Sequence, residues 1–148
     1  MSAPTQRQAW IAVLARADAA RIAAALPPPG KRPHARRLRG PETGLLMLRG
    51  RMGGTGAPFN LGETTVTRCT LRLDDGLVGH ATILGRDADH AELAAFADAL
   101  LQHPDFAAPL AETLIAPLAA AQAEARAAIA ARAAATRVAF FTLQTMRG

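Results

Sequence analysis

The amino-acid sequence predicts an α+β protein: an antiparallel β-meander with an N-terminal helix and C-terminal helices, in a single domain spanning residues 1–148. Three observations predict it. Apolar residues recur at helical spacing towards both ends of the chain, alternation with a period of two dominates the middle, and the turn-forming run Asp74-Asp75-Gly76 joins two such alternating stretches. A chain of 148 residues is long enough to bury about two-thirds of the surface its unfolded form exposes.

The first helix is expected from Gln6 to Leu26. Thr5 and Gln8 form a capping-box pair, Trp10, Val13, Leu14, Ala17 and Ala24 recur along it, and Pro27, Pro28 and Pro29 stop it. A basic connector, Lys31 to Arg39, ends as a strand. Pro41-Glu42-Thr43-Gly44 carries turn chemistry, which predicts a hairpin with strands on either side. Leu45 to Arg51 reads as a buried strand, Thr64 to Leu73 as a longer one and Leu77 to Leu84 as a third. In the middle strand Thr65, Thr67, Cys69, Leu71 and Leu73 share one face and Val66, Arg68, Thr70 and Arg72 the other.

A second helix is predicted over Ala88 to Gln102, with Leu93, Phe96, Ala97, Leu100 and Leu101 as its buried stripe and Asp89 and Glu92 capping its start. His103-Pro104 ends it. A helical stretch from Ala108 to Ala135 should split or kink near Ala116, because Pro117 has no N–H to donate. Its alanine-rich second half buries little area by itself and leans on another element or subunit. Val138 to Leu143 is strand-like with apolar residues on both faces.

Composition narrows the chemistry. Apolar stretches are interrupted by charge or proline (Glu112 and Pro117 in one), so no membrane helix of ~20 uninterrupted apolar residues is expected. The N-terminal residues lack a basic start and an apolar signal core, and a soluble, cytoplasmic protein is the expectation. Cys69 is the only cysteine, which leaves no intrachain disulfide and no multi-thiolate zinc site and makes buried filler its expected role. Ser2 is the only serine, Lys31 the only lysine, and tyrosine is absent, so serine, tyrosine and Schiff-base chemistry are disfavoured. His34, His80, His90 and His103 show no paired ligand spacing; no metal site is expected in this chain alone, although a histidine given to a shared site stays open.

Charge is concentrated. Lys31 to Arg72 holds nine cations against Glu42 and Glu63, and all basic residues but Lys31 are arginine. The guanidinium fork suits phosphate, carboxylate and interface ion pairs; a compositional preference for arginine and alanine accounts for it equally well. Arg51-Met52-Gly53-Gly54-Thr55-Gly56 follows a strand, and its glycines can aim N–H groups at an anion beside Arg51. Ala57-Pro58-Phe59 then leads to another strand instead of a P-loop helix, so a plain turn, a phosphate cradle and a partner contact all stay open. Gly85-Arg86-Asp87 with His90 and Glu92 is the second cluster, placed for acid–base work or simply for capping a helix. Arg49, Arg51, Arg68 and Arg72 suit an anionic groove or salt bridges to another subunit. Nucleic acid is disfavoured, since aromatic residues do not interleave with the basic ones.

A succession of motifs points further. Arg7-Gln8-Ala9-Trp10 with Val13-Leu14-Ala15, Glu42-Thr43-Gly44-Leu45, Arg51 to Gly56, Thr67-Arg68 and Asp75-Gly76 are followed by Gly85-Arg86-Asp87 and His90-Ala91-Glu92. Asp98-Ala99-Leu100, Glu112 to Leu118, and Arg137-Val138 with Phe140-Phe141-Thr142 complete the series. In this order they resemble the PhnG family of the bacterial phosphonate carbon–phosphorus lyase system. The resemblance implies an assembly with PhnI, as the closest partner, PhnH and PhnJ. With PhnI, PhnH and PhnL it implies an accessory role in alpha-D-ribose 1-methylphosphonate 5-triphosphate synthase, a multi-subunit transferase (EC 2.7.8 type). That synthase couples methylphosphonate to C1 of the ATP ribose and releases adenine. The nucleosidase-like machinery is then assigned to PhnI and radical cleavage to PhnJ, and no catalytic residue carries over to this chain. Inactivity in isolation, no cofactor held by this chain alone, and a requirement of the whole complex for ATP and a divalent metal follow as expectations. A non-catalytic scaffold and a free-standing anion-binding module are the alternatives, and the isolated chain is expected to be able to self-associate.

Overall fold

The structure, a computed structural model, describes residues 4–51 and 56–136. The elements in order are α1 (Gln6–Leu14), α2 (Ala19–Ala25), β1 (Ala35–Gly50), β2 (Phe59–Leu73), β3 (Val78–Leu84), α3 (Ala88–Leu100), α4 (Pro104–Leu110), a π-helical turn (Ala111–Ile115) and α5 (Ala116–Ala135). The three strands form one antiparallel sheet in the order β1-β2-β3, so the fold is the expected α+β meander with helices at both ends. The strand-like run from Val138 to Leu143 lies outside the described residues.

The capping box forms as expected: the Gln8 N–H donates to Thr5 Oγ1 at 3.2 Å and the Thr5 N–H to Gln8 Oε1 at 2.8 Å. The single long helix does not. Asp18 accepts from the Ala20 N–H at 2.9 Å and starts a new helix, because a short carboxylate side chain competes with helical bonding inside a helix and favours a cap. The break lets Leu14, Ala17 and Ile22 all reach the core.

The expected hairpin at Pro41 to Gly44 is also absent, and β1 runs straight through it. Register slips between Arg37 and Arg39 and between Arg39 and Glu42 absorb Gly40 and Pro41 as a bulge. Proline is tolerated there because β1 is an edge strand. Gly40 has φ +69°, and a side chain on it would press against the Arg68 carbonyl, so glycine chemistry serves the bulge and not a turn. The Asp74-Asp75-Gly76 turn forms where expected, with Gly76 at φ +95° and the Leu77 N–H donating to Asp75 Oδ1.

Helix α3 is the centre of the core. It covers the sheet face built from Thr67, Cys69, Leu71 and Leu73 of β2 and Gly79, Ala81 and Ile83 of β3. Gly79 permits this approach: a Cβ there would meet the Ala95 carbonyl and lie 2.9 Å from both Ala99 Cβ and Ala99 N. Asp87, not Asp89 or Glu92, caps α3. On the far side α1, α2 and the C-terminal helices close the layer.

Pro117 does not split the last helix. The chain widens into the π-turn just before it, which accommodates the missing N–H, and Pro104–Ala135 is a continuous 32-residue helix. Contrary to the sequence expectation, it is long and apolar enough to cross a membrane by length and composition. Most of that apolarity is alanine, and its leucines Leu110, Leu114 and Leu118 are buried in the protein's own core. Gln122 is stapled to α1, accepting from Arg16 Nε and donating to the Val13 carbonyl, and from Ala123 onward the helix is exposed.

Candidate functional site

The start of α3 brings together the acid–base candidates and shows what each one does. Thr67 Oγ1 donates to the Gly85 carbonyl at 2.8 Å and accepts from the Asp87 N–H at 3.0 Å, locking the turn that carries exposed Arg86. Asp87 Oδ1 accepts from the His90 N–H at 2.9 Å. The His90 ring is buried and its Nε2 lies 2.9 Å from the Leu14 carbonyl; a carbonyl only accepts, so Nε2 carries the proton. Glu92 receives two hydrogen bonds from Arg37, at 2.9 and 2.6 Å, which raise the already high guanidinium pKa. All three candidates therefore carry structural bonds: a cap, a tie from α3 to α1, and a tie from α3 to β1.

Beside this turn lies a cleft of about 610 Å³ between residues 29–35 and α3. Asp89, Glu92 and Leu93 line one wall and His34 the other, with Arg32 held 5.1 Å over the Phe96 ring as a cation–π pair. Among the described residues no three His, Cys, Asp or Glu side chains gather in a way that could hold a metal ion.

The arginines fall into two groups. Arg51 is exposed just past the end of β1 and Gly56 lies exposed beyond it; Gly53, Gly54 and Thr55 fall outside the described residues. Arg68 sits within β2 on the open face of the sheet, opposite Glu42 of β1 and Thr82 of β3. Glu42 is already paired with Arg39 at 2.6 Å. Since Phe59 pairs with Gly50 and Arg68 with Glu42, the two candidate arginines stand roughly 30 Å apart along the strand at 3.3 Å per residue. They do not clasp one phosphate within a single subunit. On the same open face, Arg36 and Arg72 are exposed and directly opposite each other.

The most connected polar group was not among the sequence candidates. Asp98 is 0% exposed within α3. Its carboxylate accepts from Arg7 Nε at 3.2 Å and Nη2 at 2.8 Å, from Trp10 Nε1 at 2.8 Å and from the His80 N–H at 2.9 Å. Arg7 also donates to the Val78 carbonyl, and its pKa is raised by the hydrogen bond to Asp98 against the opposing effect of burial. One carboxylate thus joins α1, β3 and α3. An acidic residue inside a buried helical stripe, with Arg7 and Trp10 one turn apart on another helix, is the signal that marks it.

Cys69 is the buried filler expected. Burial pushes its thiol pKa up, nearby Glu92 adds to this, and Arg37 opposes it. A raised pKa means that the folded protein holds this proton more tightly than the unfolded chain does. Its contribution to stability is complete below the unfolded thiol value of about 8.5 and is lost as pH rises from there through the folded value. Alkaline denaturation midpoints should therefore fall less steeply above that pH in Cys69→Ala than in wild type, and a thiol reagent should modify Cys69 only on unfolding.

Apolar surface is distributed unusually. Beyond Val66, which pairs with Leu84 at the end of β3, the sheet continues as a two-stranded ribbon of β1 and β2. Leu45 (62% exposed), Leu46, Met47, Leu48, Phe59 and Leu61 all lie open on it. The stretch read from sequence as a buried strand is thus a strand, but it is uncovered.

This combination defines a class: a small α+β protein whose acid–base candidates hold its own scaffold together and whose apolar ribbon is exposed. Residues 5–148 match the family described as phosphonate metabolism protein PhnG, and the chain belongs to that family. It is 45% identical over 138 residues, 93% of its length and 88% of the relative's, to the PhnG subunit of alpha-D-ribose 1-methylphosphonate 5-triphosphate synthase from Rhizobium meliloti (strain 1021).

Proposed function

We propose that this chain is the accessory PhnG-type subunit of a cytoplasmic alpha-D-ribose 1-methylphosphonate 5-triphosphate synthase. It acts with PhnI, PhnH and PhnL and joins PhnJ in the wider assembly. The observation that carries the reading is the 45% identity to a subunit of that synthase across nearly the full length of both chains. The roles found for His90, Asp87 and Glu92 favour an accessory part: each is engaged in holding α3 in place. Catalysis, the divalent metal and the reacting ends of ATP and methylphosphonate are assigned to the other subunits, and the isolated chain is inactive. Arg51, Arg68 and Arg86 are this chain's candidates for contact with phosphate or with a partner, acting separately.

The test is reconstitution. The other subunits are co-expressed with and without this chain, and adenine release and the triphosphate product are followed from ATP and methylphosphonate. Formation of product only when the chain is present is the expected result. Undiminished product without it, from subunits that remain soluble and assembled, would overturn the synthase reading and favour a scaffold for later steps.

A further inference from the structure

The ribbon and the open sheet face share an anomaly: both are costly in an isolated subunit. A two-stranded ribbon is marginal in water, and this one has apolar residues on both faces, with Leu45 and Met47 on one and Leu46 and Leu48 on the other. Exposed contiguous apolar surface of this kind marks an interaction site. On the open sheet face that continues from the ribbon's base, six residues of β2 or about 20 Å beyond Val66, Arg36 and Arg72 oppose each other across β1 and β2, and like charges directly opposite are destabilising. Leu84, 71% exposed at the end of β3, extends the apolar surface to that base.

We propose that ribbon and arginine face form one docking surface. Its occupant is another subunit of the synthase that presents an apolar groove and, about 20 Å along the same surface, a patch of aspartate and glutamate. The inference rests on the synthase-subunit reading above and deepens it by assigning the surface. Charge selects the occupant. A partner's carboxylate patch relieves the Arg36–Arg72 opposition and takes up the guanidinium forks, which a second copy of this cationic face does not offer. Among the described residues no strand pairs with the ribbon's outward backbone, so a strand from the partner can extend the sheet while side chains fill pockets on either side.

The experiment uses the co-expressed complex. Leu46→Asp/Leu48→Asp, on the face that continues into the arginines, tests the apolar part and Arg36→Glu/Arg72→Glu the charged one. These positions are exposed, so melting temperatures of the isolated variants should stay within about 2 °C of wild type. Each double variant is expected to bind the remaining subunits at least ~30-fold more weakly, as loss of an interface hot spot would require. If the folded variants copurify at wild-type stoichiometry and affinity, the docking surface is wrong while the synthase reading stands. If wild type itself copurifies with no synthase subunit, the functional reading fails and the docking proposal with it. Variants that lose only self-association of the isolated chain, with subunit binding intact, make the surface a homodimer contact and overturn the proposal.

Discussion

Asp98→Ala is expected to destabilise the protein by about 3 kcal/mol, because it removes the acceptor for four hydrogen bonds at a fully buried point. The cost is unevenly shared. Arg7 is 37% exposed and can turn back towards water, so much of the loss comes from the Trp10 N–H and His80 N–H left without a partner. For a chain of this size that corresponds to a melting temperature lower by roughly 6–12 °C. Trp10 is the only tryptophan, and its fluorescence reports release of α1 directly. Asp98→Asn keeps one acceptor but turns an amide N–H₂ towards donors, so it should fall between wild type and alanine. Equal stability of wild type and Asp98→Ala in urea titrations would show that α1 is held by its apolar contacts alone.

Gly79→Ala should be comparably damaging, by the opposite mechanism. Adding one methyl at this position drives it into the Ala95 carbonyl and to within 2.9 Å of Ala99, all on a helix whose inner face is packed against the sheet. Backbone cannot swing aside as a flexible side chain can, so α3 must lift from β3, at a cost of about 3 kcal/mol. Shortening Ala99 to glycine in the same chain relieves only one of the three contacts, leaving the Ala95 carbonyl and the Ala99 N–H in place, and the double variant should recover little. Full recovery would identify Ala99 as the controlling contact and leave the Ala95 carbonyl free to move. Denaturant midpoints of the two variants decide between these outcomes.

What was legible in the sequence was mostly local. The Thr5–Gln8 box, the Asp74-Asp75-Gly76 turn and the alternation through β2 each depend on residues a few positions apart, and all appear in place. Features set by distant contacts were harder to read. Pro41 and Gly44 carry turn residues, yet pairing of β1 with β2 on both sides outweighs that preference and turns the site into a bulge. Leu45 to Leu48 look buried because four consecutive apolar residues fit a strand covered on two faces; the exposed two-stranded ribbon has the same composition. Among candidate site residues, Asp87 caps α3 and the His90 ring packs against the Leu14 carbonyl, the capping and packing roles the sequence offers beside acid–base work. Asp98 stands in the sequence only as part of a motif and not as a site candidate, because its partners come from residues 7, 10 and 80.

The uncovered ribbon has a consequence for supply. A copy synthesised before its partners carries exposed leucines and an open strand edge, the features that promote edge-to-edge pairing and capture by other unfinished chains. On the docking proposal, solubility would depend on dosage: balanced production with the other subunits would conceal the edge soon after folding, and a surplus would have nowhere to place it. Expressed alone at high level, the protein should yield less soluble material than when the same gene is expressed alongside its partners.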